Sequence, residues 1–582
     1  MASVTGSWGA LGRSLVVLRE DPGRTRRALR WIIPVGSSLI ITSLVFGPGL
    51  GALGLIGAMS GNAGREEPLR RRARTLLLVG GATALNQTIG MLVSPHTWAI
   101  PPVITALTLL TVWIWHALLI GPPGPINTLF AAALGIFLGD QGYALTTVLP
   151  VTVFAAATAA VLSILVISIS PFGPGRAAVA AAETAVDAYA GRQGGISAHD
   201  TNRLRSNAHL AVFHAWHVLR IGGTPRSQPR TATGRELSEH LLTVERRLVA
   251  ALQEESFPTA RPETLDDLDV LPLGRPSASY LLRAALQRGS RPTLLATRAA
   301  LAVLLASSMM IASPVGHPYW AILSALIVLH MGASRVDLTI RAAHRVIGTT
   351  VGVLVYFGII SLGPSNWLRI GIVIVAIFAM ESLVTRNYAY AVVFVTLFAL
   401  LMTPTSSEAQ ITVLMVDRVV ETVIGVGAAV LVIWLVGRHS PVLLVRSQFR
   451  RTQKAILHVL DDLAQGAGAS LPGQEDRRNL VFEVERAAAI LSAQRPDDPE
   501  TLARWLPIQD VDARFGFDVM AACWRPTATP SPAAARAHDD LAALISGLPK
   551  VSPRAIDVEW LTARMQEIRD HFVRGIDAES HT

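Results

Sequence analysis

Long apolar runs dominate two stretches of the chain. The first stretch carries runs at about 31–47, 49–60, 75–93, 97–119, 126–139 and 144–170, and the second at 294–313, 318–332, 344–362, 367–384, 388–403 and 412–437. A helix needs about 20 apolar residues to cross a hydrocarbon core of roughly 30 Å, so the pattern predicts twelve crossings, six in each stretch. The runs 49–60 and 126–139 are too short to cross upright as regular helices. Short or Gly/Pro-interrupted segments at matching places in two halves mark broken helices near a binding site; misdrawn boundaries are the other reading.

The polar sequence follows a different period. Ala177–Ala190, Asp200–Leu219 and Arg235–Glu255, then Val442–Leu463, Asp476–Leu491 and Ile556–Ile576, place apolar residues three and four apart, as in helices with one buried face. Breaks such as Gly222-Gly223-Thr224-Pro225 separate them, and no Val/Ile/Thr alternation predicts a sheet. The chain divides into a basic N-terminus over 1–30, a first membrane half over 31–170, a helical linker domain over 171–291, a second membrane half over 292–437 and a C-terminal helical domain over 438–582. The fold class is all-α: a polytopic helical membrane protein with two six-span halves and two cytoplasmic helical regions.

Composition points the same way. Of 582 residues, 51% are hydrophobic and 16% charged, against about a quarter charged in soluble domains. Aromatics at 6% are too sparse for the girdles of a membrane barrel. The single cysteine, Cys523, excludes an internal disulfide or a thiolate cluster. A net charge of +9 could mean nucleic acid, but the arginines give another source. Arg13, Arg19, Arg24, Arg26, Arg27 and Arg30 precede the first run, Arg65, Arg70, Arg71, Arg72 and Arg74 follow the second, and Arg335, Arg341 and Arg345 fill the matching loop of the second half. The connections 94–96, 140–143, 314–317, 363–366 and 404–411 hold no Lys or Arg. Alternating basic and neutral loops are the positive-inside pattern. It predicts an inner or plasma-membrane protein with both termini and both polar regions in the cytoplasm, and lipid rather than nucleic acid as surroundings. The first run reads as a retained helix, because no small-residue cleavage site follows it.

Arg70, Arg74 and Gly81 recur at constant offset as Arg341, Arg345 and Gly352. Residues four apart share a helix face, and six crossings per half make the repeat parallel, about an axis along the membrane normal.

Several chemistries are missing from the chain. Lys454 and Lys550 are its only lysines and neither follows a Gly, so no phosphate-binding loop is encoded; His-Glu-x-x-His and Gly-x-Ser-x-Gly are absent too. Gly49-Leu50-Gly51-Ala52-Leu53-Gly54 matches the dinucleotide pattern, but inside an apolar run such glycines serve close helix packing. His209, His214 and His217 share a helix without an acidic or Cys partner nearby, so a solvated or packed face outweighs a metal site. No enzyme, cofactor or metal is predicted.

A charge at the bilayer centre costs about 2.5–3.5 kcal/mol even on permissive scales, so polar groups within the runs carry the functional signal. The densest group is Asp417-Arg418-Val419-Val420-Glu421, whose two acids share a face and whose arginine can neutralise one of them. It is read as a proton-coupling cluster, with a structural ion pair as the alternative. Asn86 and Gln87 lie roughly 18–20 Å beyond Arg74, and Thr396 about 12 Å beyond Tyr388. Asn86 and Gln87 line a polar path or simply hydrogen-bond a neighbouring helix, and Thr396 can instead bond back to its own helix. Trp98, Trp113, Trp115, Trp320 and Trp367 read as interfacial anchors, and His96, His116 and His317 as span-end residues.

The stretch from His317-Pro318-Tyr319-Trp320-Ala321-Ile322-Leu323 through Arg341-Ala342-Ala343-His344-Arg345-Val346-Ile347-Gly348-Thr349-Thr350-Val351-Gly352 resembles the fusaric acid resistance and aromatic acid exporter family. So do Asn387-Tyr388-Ala389-Tyr390 with Thr396, and Asp417-Arg418-Val419-Val420-Glu421-Thr422-Val423-Ile424-Gly425. The resemblance covers about 317–436; the first half is similar only around 51–81, without an Arg-x-x-Gly-Thr core, and the polar regions show none. It implies an inner-membrane exporter of aromatic or other organic acids. A more distant likeness is to plant aluminium-activated malate transporters, which pair two six-span halves around a basic anion path. The functional expectation is proton-linked export of a small organic anion, aromatic carboxylates foremost, by alternating access between two halves. Arg70, Arg74, Arg341, Arg345, Asn86, Gln87 and Thr396 would receive the anion, and Asp417, Arg418 and Glu421 would handle the proton. A passive anion channel and a cell-envelope scaffold are the alternatives, and a homo-oligomer is compatible with each.

Overall fold

The computed structural model describes residues 14–65, 69–121, 124–169, 172–192, 197–219, 231–258, 276–287, 289–311, 319–330, 334–403, 408–437, 439–468, 470–494, 496–524, 529–549 and 556–579, with Gly12, Glu67 and Val551 besides. Their regular secondary structure is helical throughout, without a strand among the described residues. Two compact units result, one from residues 1–65, 69–170 and 291–438 and the other from 66–68, 171–290 and 439–582. His317, Lys550 and the break at 222–225 fall outside the described residues, as does the side chain of Arg70.

The apolar runs build the first unit. Its helices are α1 (Arg24–Phe46), α2 (Pro48–Ala52), α3 (Leu55–Met59), α4 (Leu69–Val93), α5 (Ile100–Ala117), α6 (Ile126–Asp140), α7 (Leu145–Ser168), α8 (Arg291–Ile311), α9 (Tyr319–Leu329), α10 (Arg335–Ile360), α11 (Asn366–Leu383), α12 (Tyr388–Leu401) and α13 (Glu408–Leu435). Eight of them, α1, α4, α5, α7, α8, α10, α11 and α13, are long and apolar enough to cross a membrane. Their outward side chains are apolar, with Leu77 and Leu78 both 74% exposed, the surface a lipid solvent requires. The protein is an all-α, polytopic membrane protein.

Among the described residues, eight helices rather than twelve are long and apolar enough to cross. The run 49–60 divides into two five-residue helices, and α6, α9 and α12 hold only 15, 11 and 14 residues, roughly 16–22 Å at 1.5 Å per residue. The shortness of 49–60 and 126–139 is evident from the sequence. That of α9 and α12 is hidden, because the apolar runs 318–332 and 388–403 extend past the helices in the letters.

Helix partners recur along the unit. α4 packs on α6 and α7, and α10 on α12 and α13; α3 packs on α7, and α9 on α13; α5 lies against α8, and α11 against α1. Glycines make the closest approaches, since a backbone without a Cβ lets two helices touch. A Cβ at Gly90 would lie 2.1 Å from the Ala132 carbonyl oxygen, and one at Gly57 2.2 Å from that of Thr152. The residues matched by the sequence repeat differ in their surroundings. Gly352 meets Thr396 and the Val393 carbonyl, whereas its matched Gly81 faces open space; Arg345 is buried, whereas its matched Arg74 is exposed. A constant offset in letters does not fix which helix face is turned inward.

The second unit is a helical assembly whose helices include Gly173–Ala190, Ala198–Leu219, Ala232–Ser256, Ser440–Ala464 and Val558–Glu579, matching amphipathic segments in the sequence. Ala278–Leu286, Pro499–Cys523 and Pro532–Gly547 are further helices the pattern did not single out. Buried acids are tied to donors: Asp518 accepts from Ser256 Oγ and Arg569 Nε, both at 2.6 Å, and Glu245 accepts from Trp216 Nε1 at 2.7 Å. His209 stacks on Phe517 with ring centroids 4.6 Å apart, and burial pushes its pKa down to about 3. His214 is exposed, and no group of three metal-ligating side chains gathers among the described residues.

Burial pushes the Glu245 carboxyl up to about 8. An acid whose folded pKa is raised stabilises the fold fully below its unfolded pKa and loses that contribution as pH climbs through the folded value. The window therefore runs from about 4.3 to 8, at up to about 1.4 kcal/mol per pH unit. Amide exchange across residues 232–256 is expected to be faster at pH 8 than at pH 5 after correction for intrinsic rates. Glu245→Gln should remove that difference; equal protection at both pH values in the unsubstituted protein would contradict it.

Candidate functional site

The four short segments meet around one cavity in the first unit. α2 and α3, α6, α9, and the end of α12 line it, with Met59, Phe130, Phe137, Tyr319, Trp320 and Phe398 among its walls. It measures about 50 Å³, room for roughly three to five waters. The walls are almost wholly apolar. Phe137 and Tyr319 meet tilted at 45° with centroids 4.6 Å apart, Tyr319 and Trp320 at 46° and 5.0 Å, and Phe130 stands edge-on to Trp320 at 6.4 Å.

Charge stands beside this aromatic box. The Arg418 guanidinium lies 3.6 Å from the centre of the Trp320 ring. Arg418 is 0% exposed, and its Nε, Nη1 and Nη2 have no hydrogen-bond partner among the described residues. Arg345 is 1% exposed, with Nε and Nη1 in the same condition. The two cations feel each other, and Arg418 also feels Glu421 and Tyr319. Glu421 is 0% and Asp417 8% exposed. Arg345 stands beside Tyr388, whose ring carries the half-buried Arg341 at 4.0 Å.

Arg345 lies ten residues into the 26-residue α10, and Arg418 ten residues into the 28-residue α13. Both are buried inside the unit, where a cation is expensive. Close packing holds them there: a Cβ at Gly425 on α13 would lie 2.1 Å from the Ala321 carbonyl oxygen on α9.

The structure gathers Arg341, Arg345, Asp417, Arg418 and Glu421, and separates others from them. Arg74 is exposed. Asn86 donates to the Thr128 carbonyl at 3.1 Å and so joins α4 to α6. Gln87 is 0% exposed, with neither amide atom hydrogen-bonded among the described residues. Thr396 is buried against Gly352. Trp98 and Trp367 are exposed as anchors are, but Trp115 and Trp320 are buried at 6% and 4%. Trp320, Tyr319, Phe130, Phe137 and Tyr388 are the site residues sequence reasoning missed. The available signal was Tyr319-Trp320 opening a run only four residues before another polar side chain, Ser324, in a half already rich in arginine.

The segment that supplies Trp320, Arg345, Arg418 and Glu421 decides the likeness. Residues 299–432 match the fusaric acid resistance protein-like family. That likeness supports membrane transport by this segment. An uncharacterized membrane protein of Bacillus subtilis (strain 168), YvaC, is 29% identical over 187 residues, which is 32% of this chain and 29% of that protein. The match thus spans under a third of the relative's length. No solved structure matches.

Proposed function

We propose that the protein exports small organic anions, aromatic carboxylates foremost, across an inner or plasma membrane, coupled to protons and by alternating access between two halves. One observation carries the reading: Arg345 and Arg418 are buried close enough to feel each other, and all three guanidinium nitrogens of Arg418 with Nε and Nη1 of Arg345 have no hydrogen-bond partner among the described residues. Two like charges in a dry interior are costly unless an opposite charge joins them. A guanidinium fork fits a carboxylate's two oxygens. Arg341 at the start of the same helix face draws the anion inward, and the apolar cavity receives its body. Glu421 takes up and releases the coupling proton, with Asp417 beside it. The cytoplasmic placement of both termini and of the second unit rests on the alternation of basic and neutral loops.

The test is uptake driven by a pH gradient in proteoliposomes. Glu421→Gln is expected to abolish ΔpH-driven accumulation of benzoate while sparing benzoate counterflow. Unchanged coupling in the variant would reject the proton role. Current insensitive to ΔpH and reversing at the anion's equilibrium potential would replace the exporter with a passive channel.

A further inference from the structure

Trp320 belongs to two structures at once. Its ring carries the buried Arg418 guanidinium at 3.6 Å, and its indole forms part of the cavity wall. Phe130 meets it edge-on from α6, and Tyr319 lies against it on α9. The indole is 4% exposed, and its Nε1 makes no well-formed hydrogen bond among the described residues, with the neighbouring Tyr319 side chain as a weak polar contact. A buried Trp N–H normally finds an acceptor. Here the donor is held among apolar walls beside a cation that lacks hydrogen-bonding partners of its own.

We propose that Trp320 is the specificity-determining residue of the anion site: its face holds Arg418 while no anion is bound, and its ring and Nε1 donor then select the non-ionic body of the substrate. The inference rests on the anion-transport reading and deepens it. A carboxylate offers Arg418 paired hydrogen bonds in a low-dielectric site, where the ring's quadrupole offers only a weaker attraction. The arriving anion therefore takes the guanidinium from the indole. The freed indole contacts whatever body the carboxylate carries, stacking on a flat ring and donating from Nε1 to a ring substituent. A methyl body as small as that of acetate gains neither contact. The cavity thus sets preference by body, and the arginines set the need for charge.

The experiment measures initial uptake of benzoate and of acetate into proteoliposomes by the full-length protein, Trp320→Phe and Trp320→Ala. Trp320→Ala is expected to lower the benzoate-to-acetate rate ratio by roughly tenfold, the scale of a lost aromatic contact in a buried site. Trp320→Phe keeps an aromatic face and should restore most of that ratio for benzoate. With 4-hydroxybenzoate, whose hydroxyl can accept from Nε1, Trp320→Phe should remain several-fold below the unsubstituted protein. A merely structural indole would scale all three rates together, and an unchanged ratio in Trp320→Ala would overturn the proposal while leaving anion transport standing. Failure of the unsubstituted protein to move either anion would instead remove the reading beneath it. Elution of each variant as a single peak in detergent separates a selectivity change from misfolding.

Discussion

Arg418→Ala is expected to lower organic-anion uptake into proteoliposomes by roughly 30-fold or more while the protein still inserts and folds. The guanidinium is fully buried, with all three nitrogens lacking a hydrogen-bond partner among the described residues. Removing one side of a buried, hydrogen-bonded charge pair costs about 2–5 kcal/mol of binding, and about 1.4 kcal/mol is tenfold. Folding should survive because a buried cation is costly to desolvate, and its loss also relieves the repulsion with Arg345. Arg418→Lys should not restore the rate fully, since an ammonium is a point charge without the fork that matches a carboxylate. Uptake by Arg418→Ala equal to that of the unsubstituted protein would detach this arginine from the anion.

Gly425→Val should be the most damaging substitution in the packing that holds the site. Even the first added carbon would lie 2.1 Å from the Ala321 carbonyl oxygen, 2.8 Å from its carbonyl carbon and 3.0 Å from its Cα. Backbone cannot swing aside as a side chain does, so α9 and α13 must part. Overpacking of this kind costs about 1–3 kcal/mol, and here it also separates Trp320 from Arg418. Gly427, two residues on, meets nothing within 4 Å, so Gly427→Ala is the matched control. A lowered midpoint of thermal unfolding in detergent, with loss of uptake, is expected for Gly425→Val alone; equal midpoints in both variants would contradict the crossing.

How much of this was legible depends on what hydropathy can encode. Transfer from water to lipid is a property of each side chain, so the long apolar helices and the cost of Arg418 and Glu421 could be read from the letters. The short 49–60 and 126–139 segments were visible for the same reason. Facing is different: inside a bilayer both the lipid side and the protein side of a helix are apolar. Trp320 thus looked like an anchor at a span end, although packing against Phe130 and Arg418 buries it at 4% exposure. Gly81 looked equivalent to Gly352 until one met open space and the other a helix crossing. Asn86 read equally as a path-lining group or as a bond to a neighbouring helix, and it joins two helices through the Thr128 carbonyl. Polar side chains in lipid seek any partner in reach, and only tertiary structure says which.

The central claim is that the paired guanidiniums border a passage that water and anions enter. Thr349 stands one turn beyond Arg345 on the same face, is 0% exposed, and has no hydrogen bond at Oγ1 among the described residues. Thr349→Cys in a Cys523→Ser background, treated in membranes with a charged methanethiosulfonate, measures access directly. The account predicts modification that benzoate slows, with Leu77→Cys on the outward apolar surface unreactive and Trp98→Cys reactive irrespective of benzoate. Thr349→Cys as inert as Leu77→Cys, while Trp98→Cys reacts, would contradict it.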